Sequence, residues 1–202
     1  MQLEDYFKDK KAIVFGLDDV LYPEKDYLLQ VYYLFSEFMA YTEQMDATQL
    51  IAFMQAEFFA NGSADIFEKT AVKFGIPDKY LNNFKLLHQN ARLPLKLLLY
   101  QQVLSLLQNL VIDRKEVIVL VDGDPVEQLN KIKQMEWHGL EGHLKLYFSA
   151  EFEAKPSSAS IDFISETHQL AKEDMLLISS NLNDETYAQV IGLSYLDIKE
   201  IL

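Results

Sequence analysis

The stretch KAIVFGLDDVLYPE, residues 11–24, decides how the chain is read. An apolar run, Ala12-Ile13-Val14-Phe15, stops at Gly16. Two adjacent aspartates, Asp18 and Asp19, follow, and then Val20-Leu21-Tyr22-Pro23. A short continuous apolar run suits a strand buried on both faces. Glycine at the junction permits a tight strand-to-loop turn, and it also leaves that position without a side-chain oxygen.

Similar runs recur downstream at Val117–Val121, Leu144–Phe148, Met175–Ile178 and Leu193–Leu196. Helical patterns separate them. In Pro125–Trp137, Val126, Leu129, Ile132 and Met135 fall three apart, with Pro125 suited to a first helical turn. In Ser157–Leu170, Ile161, Phe163 and Ile164 supply the apolar side. This alternation predicts an α/β fold, a Rossmann-like parallel sheet covered by helices. In such sheets chemistry collects at the carboxyl ends of the strands, which here are Gly16, Val121, Ser149 and Ser179.

Between the first two strands, residues 22–92 read as helical throughout. Leu28, Val31, Tyr32, Phe35, Phe38 and Met39 make one stripe; Leu50, Phe53 and Met54 a second; Ile66 and Val72 a third; Leu81, Phe84 and Leu87 a fourth. Asn61-Gly62 and Gly75-Ile76-Pro77 punctuate them. The pattern predicts a small helical bundle at 22–92, inserted after the first strand of a core made of 1–21 and 93–202. The aromatic side chains of the first helix follow helical spacing, as a bundle core does. Leu99, Val103, Leu106, Leu107 and Leu110 form a helix leading back to the core.

Composition narrows the function classes. A formal net charge of −13 over 202 residues, with no Lys/Arg patch, argues against nucleic acid and against an anionic membrane surface. The absence of cysteine excludes disulfides and thiolate metal sites. The charged start, MQLEDYFKDKK, does not read as a signal peptide, and no apolar run reaches the ~20 residues of a membrane span. A cytoplasmic protein, monomer or homodimer, is the expectation.

Four ordered motifs resemble the haloacid dehalogenase superfamily, in its phosphatase-like branch with an inserted helical cap. In that family the first strand ends in Asp-x-Asp-x-Thr/Val, often followed by Leu-Tyr-Pro. Here Gly16-Leu17-Asp18-Asp19-Val20 and Leu21-Tyr22-Pro23 stand there. The second motif, Thr-Asn-Gly, is matched by Val121-Asp122-Gly123; the third, a lysine, by Lys155-Pro156; and the fourth, Gly-Asp-Ser-x-x-Asp, by Ser179-Ser180-Asn181-Leu182-Asn183-Asp184. The resemblance implies a hydrolase ancestry and magnesium in the relatives. It implies catalytic remnants at Asp18 (acid/base) and Lys155, substrate-binding positions at Asp122, Gly123 and Lys155, and a metal remnant at Asp184. It also puts Gly16 at the nucleophile, Val121 at the phosphate-binding hydroxyl and Ser180 at the first metal aspartate.

Phosphoryl transfer in such a site needs an in-line oxygen nucleophile, a cation and positioned donors. Glycine closes the covalent route, and one carboxylate is a poor magnesium site. A pseudoenzyme without magnesium-dependent phosphatase activity is therefore expected, with no cofactor, binding a small-molecule or protein ligand or serving structurally. The alternative is a hydrolase with altered, metal-independent chemistry, in which Asp18 activates a water and Lys155 attracts an anion. Structural roles are the favoured reading of both residues: Asp18 capping loop amides or pairing with Lys155, and Lys155 neutralising Asp18 and Asp184. Asp19, Asp122 and Asp184 read either as a solvated rim or as an unusual cation site. Ser179 and Ser180 have no histidine motif beside them, and His88, His138, His143 and His168 are scattered.

Overall fold

The computed structural model describes residues 3–202. Its strands are β1 (Ala12–Phe15), β2 (Leu97–Leu98), β3 (Glu116–Val121), β4 (Met135–Glu136), β5 (Leu144–Phe148), β6 (Met175–Ser179) and β7 (Ser194–Asp197). The α-helices are α1 (Leu3–Phe7), α2 (Glu24–Glu43), α3 (Ala47–Asn61), α4 (Ile66–Phe74), α5 (Leu81–Asn90), α6 (Gln101–Ile112), α7 (Pro125–Gln134), α8 (Ala159–His168) and α9 (Leu182–Ile191). Two compact units result. One holds the residues up to Pro23, Leu98–Gln128 and Met135–Leu202; the other holds Glu24–Leu97 and Leu129–Gln134.

The first unit is built on a five-stranded sheet in the order β5-β3-β1-β6-β7. Its neighbours pair in parallel, with Ala12 opposite Glu116 on one side and Met175 on the other. β1 is fully buried along its length because both faces are covered. On one face Ala12, Val14, Ile118, Leu120, Met175 and Leu177 pack with Ile161 and Ile164 of α8 and Tyr187 and Ala188 of α9. The other face carries Ile13, Phe15, Val117, Val119 and Ile178, also buried, and α6 packs on β3. The predicted α/β class and its strands are thus present, and the Rossmann-like parallel sheet is the core of this unit.

The second unit is helical. α2 packs against α3 and α5, and α3 against α4. The Phe35 ring meets Phe84 at 5.0 Å and Phe67 at 5.8 Å in edge-on contacts, so the aromatic stripe forms the bundle core that its spacing predicts. Asp46 caps α3 by accepting from Gln49 N at 3.1 Å, and Gly75 ends α4 at φ +70°. The last turns of α7 belong here for physical reasons. Gln134 accepts from Leu93 N at 2.6 Å and donates to Ala91 O at 2.9 Å. The Lys131 side chain is 1% exposed, its ammonium 3.7 Å from Glu24 and 4.7 Å above the Tyr27 ring.

Several helical details differ from the periodicity. Helix α7 ends at Gln134, so Met135 lies in a short strand. Val126 and Leu129 are exposed, whereas Ile132 and Met135 are buried; a three-residue spacing drifts around a 3.6-residue helix and does not stay on one face. Val72 and Phe163, read as inward, face outward. The neighbouring Ile66, Phe67 and Thr70 form the buried side of α4, and Ile161 and Ile164 that of α8.

Tyr32 carries a testable oddity. Its ring is fully buried and stacks 6.2 Å from Phe84, yet its hydroxyl has no hydrogen-bond partner. Burial, followed by the charge of Glu24, pushes the phenol well above the usual tyrosine range. An unpaired buried hydroxyl is a liability, so Tyr32→Phe is expected to leave stability unchanged or raise it by about 1 kcal/mol. Phe35→Ala removes the ring at the centre of the same cluster and is expected to lower stability by about 3–5 kcal/mol. Urea unfolding monitored by circular dichroism measures both.

Candidate functional site

The loop after β1 is anchored by its apolar residues. Leu17, Val20, Leu21 and Tyr22 are buried, while Asp19 is exposed at φ +56°. Gly16 N donates to Ile178 O at 3.0 Å, and Tyr100 N donates to Leu21 O at 2.9 Å, so the turn is tied to the sheet on both sides. Asp18 is held from inside this unit. Its Oδ1 accepts from Tyr22 Oη at 2.6 Å and its Oδ2 from Gln128 Nε2 at 2.7 Å.

The loop after β3 contains three acidic or turn residues with separate jobs. Val121 is fully buried and Asp122 exposed. Gly123 adopts φ +103°, which favours glycine. Asp124 Oδ1 accepts from Val126 N at 2.8 Å and Glu127 N at 3.0 Å, so it starts α7, with Pro125 at the first helical position.

After β6, Ser179 Oγ donates to Asp184 Oδ2 at 2.6 Å, and Asn181 caps α9 by accepting from Asn183 N at 2.9 Å. Asp184 is 6% exposed. Lys155, from the loop after β5, closes the arrangement. Its Nζ donates to Asp184 Oδ1 at 2.7 Å and to Asp122 Oδ2 at 2.8 Å, and sits 5.4 Å above the Tyr187 ring. A cleft of about 770 Å³ opens beside it, lined by Asp122, Phe152, Glu153, Lys155, Asp184 and Tyr187 among others.

Of the residues singled out in the sequence, Lys155, Asp122 and Asp184 are therefore brought into one ion cluster. The expected pairing of Lys155 with Asp18 gives way to Asp122: the bonds recorded at Asp18 come from the Tyr22 phenol and the Gln128 amide. Three partner side chains were not legible: Tyr22 is part of a motif, Ser179 is a strand end, and Gln128 belongs to no motif. A signal for Gln128 exists. It follows the Asp124 cap by four residues, and helical side chains lean toward their helix N-terminus.

Magnesium, which the resemblance implies, does not suit this donor set. The ion wants near-octahedral oxygens at about 2.1 Å, with one or two free carboxylates. The two Asp184 oxygens are engaged by an ammonium and a hydroxyl, and positions 16 and 180 carry no carboxylate. Among the described residues no group of three or more His, Cys, Asp or Glu is placed to hold a metal ion, so Asp19, Asp122 and Asp184 do not assemble as a cation site. Also among the described residues, no helix is long and apolar enough to cross a membrane.

No protein-family model matches the chain, and no curated protein matches it in sequence. Solved structures do match. A hydrolase from Streptococcus pneumoniae TIGR4 aligns with a TM-score of 0.55 at 13% identity, over 93% of this chain and 92% of its own. The L-2-haloacid dehalogenase from Xanthobacter autotrophicus, with chloropropionic acid covalently bound, aligns at 0.52 and 17%, over 92% and 76%. The HAD-hydrolase YfnB from Bacillus subtilis, bound to magnesium, aligns at 0.60 and 15%, over 92% and 85%. The fold is that of the haloacid dehalogenase-like hydrolases. On a haloacid dehalogenase-like sheet, the β1, β3 and β6 ends and the Lys155 loop are the places where the four motifs of the sequence fall.

The ion cluster has a measurable consequence. Burial alone would lower the Lys155 pKa, but the hydrogen bonds and charges of Asp122 and Asp184 outweigh it and hold it above the ordinary value. A raised folded-state pKa stabilises below the unfolded lysine value, about 10.4, and that contribution fades as pH climbs through the folded value. Lys155→Met strands Asp184 without its counter-ion and is expected to cost about 3–5 kcal/mol at pH 7. The gap to wild type should persist up to pH 10 and narrow above it in urea titrations.

Proposed function

We propose that this chain is a non-catalytic haloacid dehalogenase-like protein, a pseudoenzyme that keeps the fold and uses its strand-end cleft to bind a small molecule or a protein, or serves structurally. Its helical unit corresponds to the cap of that fold, and a cytoplasmic location fits its charge. The carrying observation is the Lys155 ammonium clamped between Asp122 and Asp184, beside a strand end that offers no side-chain oxygen at Gly16. The Xanthobacter neighbour holds chloropropionic acid covalently. A covalent adduct requires a nucleophilic side chain, and glycine has none. Loss of a nucleophile in an unrelated serine enzyme lowers kcat by on the order of 10⁶, and here the metal carboxylate and the phosphate-binding hydroxyl are missing as well.

The alternative, metal-independent hydrolysis by Asp18 with Lys155, requires an Asp18 oxygen facing a water that attacks. The Tyr22 and Gln128 bonds to both Asp18 oxygens favour the non-catalytic reading.

Turnover on a panel of phosphate monoesters and 2-haloacids, with magnesium, tests the reading. Wild type and Asp18→Ala are expected to be equally inert, and robust wild-type turnover that vanishes in Asp18→Ala would sink it. Calorimetric titration with magnesium is expected to give no binding heat up to millimolar concentration.

A further inference from the structure

Gln128 packs its amide onto the turn after β3. A Cβ added at Gly123 would lie 3.0 Å from Gln128 Nε2, so the amide fills the space above that glycine. The Nε2 group donates twice, to Asp18 Oδ2 at 2.7 Å and to Asp122 O at 2.8 Å. These acceptors settle the amide orientation, because the reverse one would set Oε1 against a carboxylate and a carbonyl. The consequence is that Gln128 Oε1 is buried without a hydrogen-bond partner, in a residue only 5% exposed. Buried acceptors are rarely left unpaired, and such exceptions mark strained or functional positions. Tyr22 Oη takes the other Asp18 oxygen at 2.6 Å.

We propose that Gln128 is a built-in occupant of the cradle formed by the β1 and β3 ends: its amide holds one oxygen of the half-buried Asp18 carboxylate as a bound ligand would, and Asp18 Oδ2 opens fully to solvent when that side chain swings out. The unpaired Oε1 narrows the energy gap between the two arrangements. Swinging out rehydrates this oxygen while Asp18 exchanges one internal donor for water. Gln128 thereby governs access to the Oδ2 side of Asp18 without being catalytic. The inference stands on contacts within one unit and is independent of whether the chain turns over a substrate.

Carboxylate footprinting of the full chain tests it. The reagents are a water-soluble carbodiimide and an amine, and peptide mass spectrometry reads the modification. Exposed Asp19 is the internal reference. In wild type, Asp18 is expected to label several-fold more slowly than Asp19. In Gln128→Ala, and in Gln128→Asn, whose shorter amide falls short of Asp18, labelling of Asp18 is expected to rise several-fold at unchanged Asp19 labelling. Wild-type Asp18 labelling at the Asp19 rate, or no rise in either folded variant, would overturn the proposal. Should both variants fail to fold, NMR of the wild type decides. Slow solvent exchange of the Gln128 side-chain amide protons supports the plug, and exchange as fast as that of a surface glutamine refutes it.

Discussion

One ammonium group, bonded to Asp184 at 2.7 Å and Asp122 at 2.8 Å, sets the charge balance at the carboxyl end of the sheet. Asp184 is buried, and Ser179 supplies only a neutral donor to its other oxygen. Lys155 thus ties together loops that leave three different strands, β3, β5 and β6. The cation among these strand-end residues is a side chain of the chain itself. That is economical in one respect: the counter-ion is covalently attached and cannot be removed by a chelator.

The core was legible because burial on both faces writes itself as uninterrupted apolar runs. Ala12–Phe15 and Val117–Val121 read as strands, and β1 and β3 cover them almost residue for residue. Helix ends were readable where punctuation is chemical: Asn61-Gly62 and Gly75 coincide with the ends of α3 and α4. Helix faces were less so. Val126, Leu129 and Phe163 are apolar but exposed, because apolar identity alone does not choose between neighbouring faces of a short helix.

At the site, residues that a motif names were legible, and their partners were not. The pairing of Lys155 with Asp184 was read from the motifs, whereas Asp122 takes the place expected for Asp18. Gln128 belongs to no motif. Only the geometry of α7 above Gly123 brings it to Asp18, across 110 positions of sequence. The Tyr22 phenol is similar: four residues from Asp18, it bonds back only because the intervening loop is anchored by buried Leu17, Val20 and Leu21.

The packing at Gly16 has a bearing on substitution there. A Cβ built there would approach Val20 Cγ2 to 3.2 Å, and Val20 is itself buried. Any side chain at 16 therefore forces its neighbour to yield by a few tenths of an ångström. A side chain introduced at 16 is thus felt first by Val20, whose methyl group already occupies the adjoining space. Fine adjustment of that one valine, rather than of the sheet, is what such a change calls for.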